Sequence, residues 1–210
     1  DDNLACVVFT GRGGFIAGGD VKDFVSIPSA EEGRAMSRWM NTTVRRLSEL
    51  PCPVIAAING DAYGGGCELA LACDVRVIST GARLVFKQVA MGLTPGWGGG
   101  QRLARLVGRS KAILLLSTAA SVDAPHALQL GLVDEVVDDA VSRANEIGGE
   151  IARHSKLAVR NTKRAIVRGE DLPLQAGIHL ESELFAEAWA SDAHHAAVRR
   201  FLDRRNKPAG

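Results

Sequence analysis

The chain has 210 residues, enough for one domain with a full-sized core, or for such a core with a small helical subdomain. Its 25 Lys and Arg almost balance 24 Asp and Glu, so net charge gives no reason to expect nucleic acid or a membrane surface as partner. No apolar run approaches the about 20 residues of a membrane span. The four cysteines sit in apolar segments without metal-ligand spacing or a disulfide framework, and read as buried thiols of a reducing compartment, the cytoplasm or the mitochondrial matrix.

From the start, Asp1-Asp2-Asn3 leads directly into the apolar run Leu4 to Thr10, which predicts a buried strand. A domain that opens inside its sheet predicts a further N-terminal portion. A glycine loop, Gly11 to Asp20, follows. Ala30 to Leu50 predicts a helix with Met36, Trp39, Met40, Val44 and Leu47 as its apolar positions, stopped by Pro51 and Pro53. Val54 to Ile58 is a second apolar strand and runs into a second glycine loop, Asn59 to Gly66. Strands without polar alternation, joined through helices, predict a parallel sheet covered on both faces, with Val75 to Ile78 and Leu84 to Phe86 continuing it.

Between those strands, Gly66 to Cys73 predicts a helix with no polar face, in which Glu68 is the only ionisable group besides the thiols. A carboxylate in the first turn of a core helix is a candidate proton-transfer group. The plainer alternative is a Glu that helps satisfy free N–H groups at a helix start. After Thr94 to Gly100 the chain turns helical. Asp123-Ala124-Pro125 is a cap with Pro in the first turn, Gly131 closes that helix, and Leu132 to Val137 predicts a short edge strand. The rest, to Arg205, is helices broken near Ser155, at Gly169 to Pro173 and at Ser191-Asp192. The expected division is therefore a core over 1–138 and a helical region over 139–210. The five histidines form no ligand set, so no metal site is expected.

Neither glycine loop carries a Gly-Lys-Ser/Thr ending or the six-residue dinucleotide spacing, so phosphate cradling is not indicated. Both loops follow a strand and expose backbone N–H groups, and the second opens into a helix. Two such N–H groups converging on one carbonyl oxygen would form an oxyanion hole, and glycine permits the close approach this needs. Two tight turns are the plainer reading of the same residues.

The segments Phe15-Ile16-Ala17-Gly18-Gly19-Asp20-Val21-Lys22, Asn59-Gly60 with Gly64-Gly65-Gly66-Cys67-Glu68-Leu69-Ala70, Pro95-Gly96-Trp97-Gly98-Gly99-Gly100-Gln101-Arg102-Leu103 and Ala127 to Val137 together resemble the crotonase family, the enoyl-CoA hydratase/isomerase superfamily. The resemblance implies an α/β fold, a spiral of ββα turns followed by helices for oligomerisation and active-site closure, in homotrimers or pairs of trimers. It implies an acyl-CoA substrate, with coenzyme A as part of that substrate and no separate cofactor. By motif position the thioester oxygen would be held by the N–H groups of Gly19 and Gly65. Ala17, Gly18, Asp20, Tyr63, Gly64, Pro95, Gly96 and Trp97 would line the substrate site, with core packing as the alternative for the two aromatics. Asp20, Asp74 and Arg76 read better as caps and ion pairs than as catalytic groups.

Glu68 stands where the hydratases of that family carry one of two catalytic glutamates, and counting back from the Pro-Gly loop puts Gln88 where the second would be. Glutamine can orient a water but cannot deliver a proton at neutral pH. Three routes stay open: hydration with Glu68 alone, double-bond isomerisation with one base, and decarboxylation of a malonyl-type thioester, to which Trp97 in Pro-Gly-Trp-Gly-Gly bears a small likeness. A non-catalytic family member, a scaffold or a binder of acyl-CoA or of RNA (the latter through Arg199, Arg200, Arg204, Arg205 and Lys207), is a further class. That basic run follows an acidic one (Glu181, Glu183, Glu187), so solvated helix faces explain it better and no nucleic acid is expected.

Overall fold

A computed structural model describes residues 4–24 and 28–205, and the side chains of Asp23, Arg204 and Arg205, like Lys207, lie outside what it describes. The chain forms two compact units, a larger one of Cys6–Leu50 with Val54–Gly148 and a smaller one that includes Pro51–Pro53 and the chain from Gly149 onward.

In the larger unit, β1 (Val7–Phe9), β2 (Val54–Ile58), β4 (Val75–Ser79) and β7 (Glu135–Val137) form a sheet in the order β1-β2-β4-β7. Every pairing is parallel, with Val7 opposite Val54, Ile55 opposite Val75 and Val77 opposite Glu135. All of β2 is buried, as expected for a strand covered on both faces, and β7 is the edge strand that its length and position predict. The first strand is shorter than the apolar run that predicts it, Leu4 to Thr10.

Leu84 to Phe86 does not continue this sheet. β5 (Arg83–Val85) belongs to a second sheet, in the order β3-β5-β6, with β3 (Ala62–Tyr63) parallel to it and β6 (Ser121–Asp123) antiparallel. The physical reason is the turn after β4, closed by the Ala82 N–H donating to the Ser79 carbonyl at 2.9 Å. A turn that short cannot make the crossover a parallel neighbour requires, so β5 leaves the first sheet. β6 has one apolar residue in three and leaves no periodicity to detect.

The helices of this unit are α1 (Val21–Phe24), α2 (Ala30–Ser48), α3 (Gly65–Ala70), α4 (Gly99–Val107), α5 (Arg109–Ser117) and α6 (Ala124–Leu130), while α7 (Ala140–Ala152) spans the division between the units. A capping box starts α2: Ser29 accepts from the Glu32 N–H, and Glu32 accepts from the Ser29 N–H. The helical stretch after Gly98 is two helices, because Gly108 stands between α4 and α5 at φ +83°. Asp123 accepts from the His126 N–H at 2.9 Å, Pro125 lies in the first turn of α6, and Gly131 ends it at φ +76°.

Two of the charged residues of β4 and its approach are structural. Asp74 accepts from the Val54 N–H at 2.6 Å. The buried Arg76 guanidinium donates to the carbonyls of Leu132 (2.9 Å) and Cys73 (2.8 Å) and faces Asp134 at 3.5 Å. The core collects Phe15, Val54, Ile58, Cys67, Ile78, Leu84, Phe86, Leu103 and Leu132.

The smaller unit holds α8 (Lys156–Gly169), α9 (Leu174–Trp189) and α10 (Asp192–Arg205), with its breaks where Ser155, Pro173 and Ser191 predict them. Ser155 accepts from the Ala158 N–H, and Ser191 from the His194 N–H. Within this unit the buried Lys163 ammonium donates to the Cys52 carbonyl at 3.0 Å, and Asn161 donates to the Leu184 carbonyl at 3.0 Å. Among the described residues, no helix is long and apolar enough to cross a membrane.

Arg76→Ala removes the donors of two backbone carbonyls at once. It should lower stability by about 3 kcal/mol, read as a lower urea midpoint at unchanged slope.

Candidate active site

The two glycine loops meet. Ile16 bridges Ala62 in parallel, and the Tyr63 N–H donates to the Ile16 carbonyl at 2.9 Å. Gly18 sits at φ +95° against the second loop, where a Cβ would stand 2.9 Å from the Tyr63 carbonyl oxygen and 3.3 Å from the Gly65 nitrogen. Only glycine takes that backbone conformation at that distance without strain. Gly19 and Gly65 are thereby brought side by side. Gly65 is the first residue of α3, so its N–H has no acceptor within the helix. Among the described residues, neither the Gly65 nor the Gly19 N–H donates to a backbone or side-chain acceptor.

Glu68 is buried at 4 % exposure, on the next turn of α3. Its carboxylate reaches across to the Pro95-to-Gly99 loop. Oε2 accepts from the N–H groups of Trp97 and Gly99, each at 2.8 Å. Oε1 is held more loosely, by the Gly96 N–H at 3.3 Å and the Gln88 amide at 3.4 Å. The N-cap residue of α4, Gly98, has no side chain to offer, and Glu68 supplies the missing acceptor from another helix. Of the two readings of Glu68, the structural one is thus present in altered form: it satisfies the start of α4, not of its own helix.

Gly99 makes this possible. A Cβ there would overlap Glu68 Cγ and stand 2.8 Å from Oε2. The loop is fixed from its other side by α2, where Ser37 Oγ (2.6 Å) and Asn41 Nδ2 (2.9 Å) both donate to the Gly96 carbonyl. Arg102 donates to the Trp97 carbonyl at 3.0 Å. Burial pushes the Arg102 guanidinium down from its ordinary pKa, opposed by the Glu68 charge that favours the cation. Sequence reasoning missed Gly99, Ser37 and Asn41 as partners of this loop. The four-residue spacing of Ser37 and Asn41 on α2 was the available signal.

Gln88 is buried at 9 % exposure beside Glu68. Its NH₂ faces Oε1, since a carboxylate can only accept. The amide oxygen of Gln88 is therefore turned away, buried and without a hydrogen-bond partner among the described residues. The indole of Trp97 is also buried, at 9 % exposure, in a cluster with Val44 and Ala72 backed by Met40 and Leu69.

The remaining expected site residues are placed as follows. Ala17 is exposed at the loop surface and Asp20 accepts from the Lys22 N–H at 2.9 Å, capping α1. The Gly64 N–H donates to the Val85 carbonyl at 2.9 Å. Tyr63 points to solvent, and its hydroxyl donates to Asp61, which is also bound by Arg83 at 2.7 Å; the Asp61 hydrogen bond raises the phenol pKa. Pro95 packs toward Gly100. Cys67, next to Glu68, is no nucleophile: burial pushes its thiol up to about 12. Among the described residues, no group of three or more His, Cys, Asp or Glu is arranged to hold a metal ion.

Comparison with known proteins identifies the family. Residues 1–209 match the family model described as enoyl-CoA hydratase/isomerase. The chain is 39% identical over 209 residues to a short-chain-enoyl-CoA hydratase of Clostridium acetobutylicum, covering 98% of this chain and 80% of that protein. It is 35% identical over 191 residues to an ethylmalonyl-CoA decarboxylase of Gallus gallus, covering 89% of this chain and 64% of the relative. A crystal structure of an enoyl-CoA hydratase from Bacillus anthracis superposes with a TM-score of 0.90 at 35% identity, over 95% of this chain and 78% of that one. The crotonase-like α/β fold expected from the motifs is the fold observed.

Alanine normally stabilises a helix by about 1 kcal/mol over glycine, yet Gly99→Ala should do the reverse. Overpacking against Glu68 is expected to cost about 1–3 kcal/mol net, measured by denaturant unfolding, whereas Gly149→Ala, where a Cβ meets open space, should not destabilise.

Proposed function

The chain belongs to the enoyl-CoA hydratase/isomerase family and is an acyl-CoA enzyme of that type, and from that premise we propose that it adds water to a 2-enoyl-CoA thioester with Glu68 as the single acid/base. The observation that carries this reading is the unequal hold on the Glu68 carboxylate. Oε2 is anchored by two short N–H bonds, while Oε1 has only two long ones and is the oxygen free to exchange a proton.

In this reading the thioester oxygen accepts from the Gly19 and Gly65 N–H groups, and the start of α3 faces the charge that develops there. Glu68 Oε1 takes a proton from a water as its oxygen bonds to the β-carbon. The electron pair of the double bond moves onto the thioester as an enolate. Glu68 then returns its proton to the α-carbon, and the 3-hydroxyacyl-CoA leaves. The buried, unpartnered oxygen of Gln88 supports hydration over isomerisation, since it can accept from the same water and orient it beside Oε1. No cofactor is needed beyond the coenzyme A that the substrate carries.

Decarboxylation of a malonyl-type acyl-CoA is the second reading, favoured by the likeness to the ethylmalonyl-CoA decarboxylase. Against it, a substrate carboxylate would have to enter beside the buried Glu68 carboxylate, and like charges repel strongly where water is excluded.

For the assembly, we propose a homotrimer or a pair of trimers. Support comes from apolar side chains left in solvent on α9 and α10, with Leu174, Phe185, Trp189, Phe201 and Leu202 all at least half exposed.

The test is the loss of enoyl-thioester absorbance when the protein meets crotonyl-CoA. Glu68→Gln should slow it about a thousandfold with binding nearly intact, and Gln88→Glu should speed it; full turnover by Glu68→Gln would remove Glu68 from the mechanism. Light scattering in solution should return three or six times the chain mass, and a monomer would overturn the assembly.

A further inference from the structure

One indole ring lies against Gly65 and stands near Gly19, the two glycines of the inferred oxyanion pair. A Cβ placed on Gly65 would overlap Cζ3 and Cη2 of Trp97 and stand 2.8 Å from Cε3. A Cβ on Gly19 would stand 3.6 Å from Cζ2 of the same ring. The six-membered ring is therefore packed on the Gly65 α-carbon, with its Cζ2 edge toward Gly19.

The backbone of Trp97 is held and its side chain is packed. Its backbone N–H is bound by Glu68 and its carbonyl by Arg102. Its outer side is backed by Val44 and Ala72, with Met40 and Leu69 packed on that cluster. Phe24 also meets Gly19, its Cζ 2.8 Å from the position of a Gly19 Cβ.

Resting on the oxyanion-hole reading above, we infer that Trp97 is the specificity-determining residue of this site, a fixed aromatic wall that admits short, flat acyl groups and excludes long ones. A carbonyl oxygen accepting from both glycine N–H groups lies about 3 Å from each nitrogen. The acyl carbons attached to it start within reach of a ring that packs on the Gly65 α-carbon and points its edge toward Gly19. A planar conjugated acyl group can lie along the face of that ring. A long saturated tail has to pass it, and the side chains packed with the indole resist its displacement. Neighbouring glycines give the ring its place, and Glu68 gives it its height above them.

The test uses saturated thioesters, so that it does not depend on turnover. Dissociation constants of butyryl-CoA and decanoyl-CoA are measured by calorimetry for the wild type, Trp97→Ala and Trp97→Leu, the last retaining much of the apolar volume in case the alanine variant fails to fold. The wild type should prefer butyryl-CoA, and both variants should shift the ratio toward decanoyl-CoA by about tenfold or more. A wild type that prefers decanoyl-CoA, or a ratio that neither folded variant moves, overturns the wall while leaving the acyl-CoA reading in place. No binding of either thioester by the wild type overturns both.

Discussion

A buried carboxylate is costly unless donors surround it, and here the donors come from the free N–H groups at the start of another helix. The bonds from Trp97 and Gly99 to Glu68 Oε2 satisfy two needs with one group, since α4 has a glycine where a capping side chain would stand. Everything nearby follows from that exchange. The Pro95-to-Gly99 loop has to come down onto α3, Gly99 has to be without a side chain, and the Gly96 carbonyl has to be turned toward Ser37 and Asn41. The backbone of Trp97 is held at both its N–H and its carbonyl, and its ring packs on Gly65.

The glycines of this site act as spacers and not as a phosphate cradle. Gly18 lets the first loop press on the second, Gly19 makes room for Phe24, Gly65 accepts the indole, and Gly99 accepts Glu68. Each replaces a side chain by a contact between distant segments. Charged groups outside the centre are spent on structure: Asp20 caps a helix, Asp74 holds the start of β2, and Arg76 collects carbonyls under the sheet.

A neutral amide at Gln88 has its own electrostatic logic. Two carboxylates in one dry pocket repel, and one of them is driven to hold a proton. With Gln88 as the neighbour, Glu68 receives a donor and meets no second charge, while the amide oxygen is left as a fixed acceptor. On the proposed reading, such a site needs only a thioester oxygen hole and one proton carrier to work through an enolate. The relatives it resembles include one named for hydration and one named for decarboxylation.

Local features were legible in the sequence because they are written in adjacent residues. The all-apolar strand Val54 to Ile58, the helix breaks at Ser155, Pro173 and Ser191, the Asp123 cap and the lone acid of α3 each need only a short window to read, and the ordered motifs were enough for the family. What tertiary structure decided are the meetings of segments far apart in the chain: that β5 leaves the first sheet for β3 and β6, that Glu68 caps α4 rather than its own helix, that the Gln88 oxygen ends without a partner among the described residues, and that one indole packs on Gly65 beside Gly19. Periodicity and capping rules report which way a side chain faces from its own element. They carry no information on what arrives from elsewhere to meet it, and here that arrival was settled by the competition to satisfy buried N–H groups and fill the space above glycine.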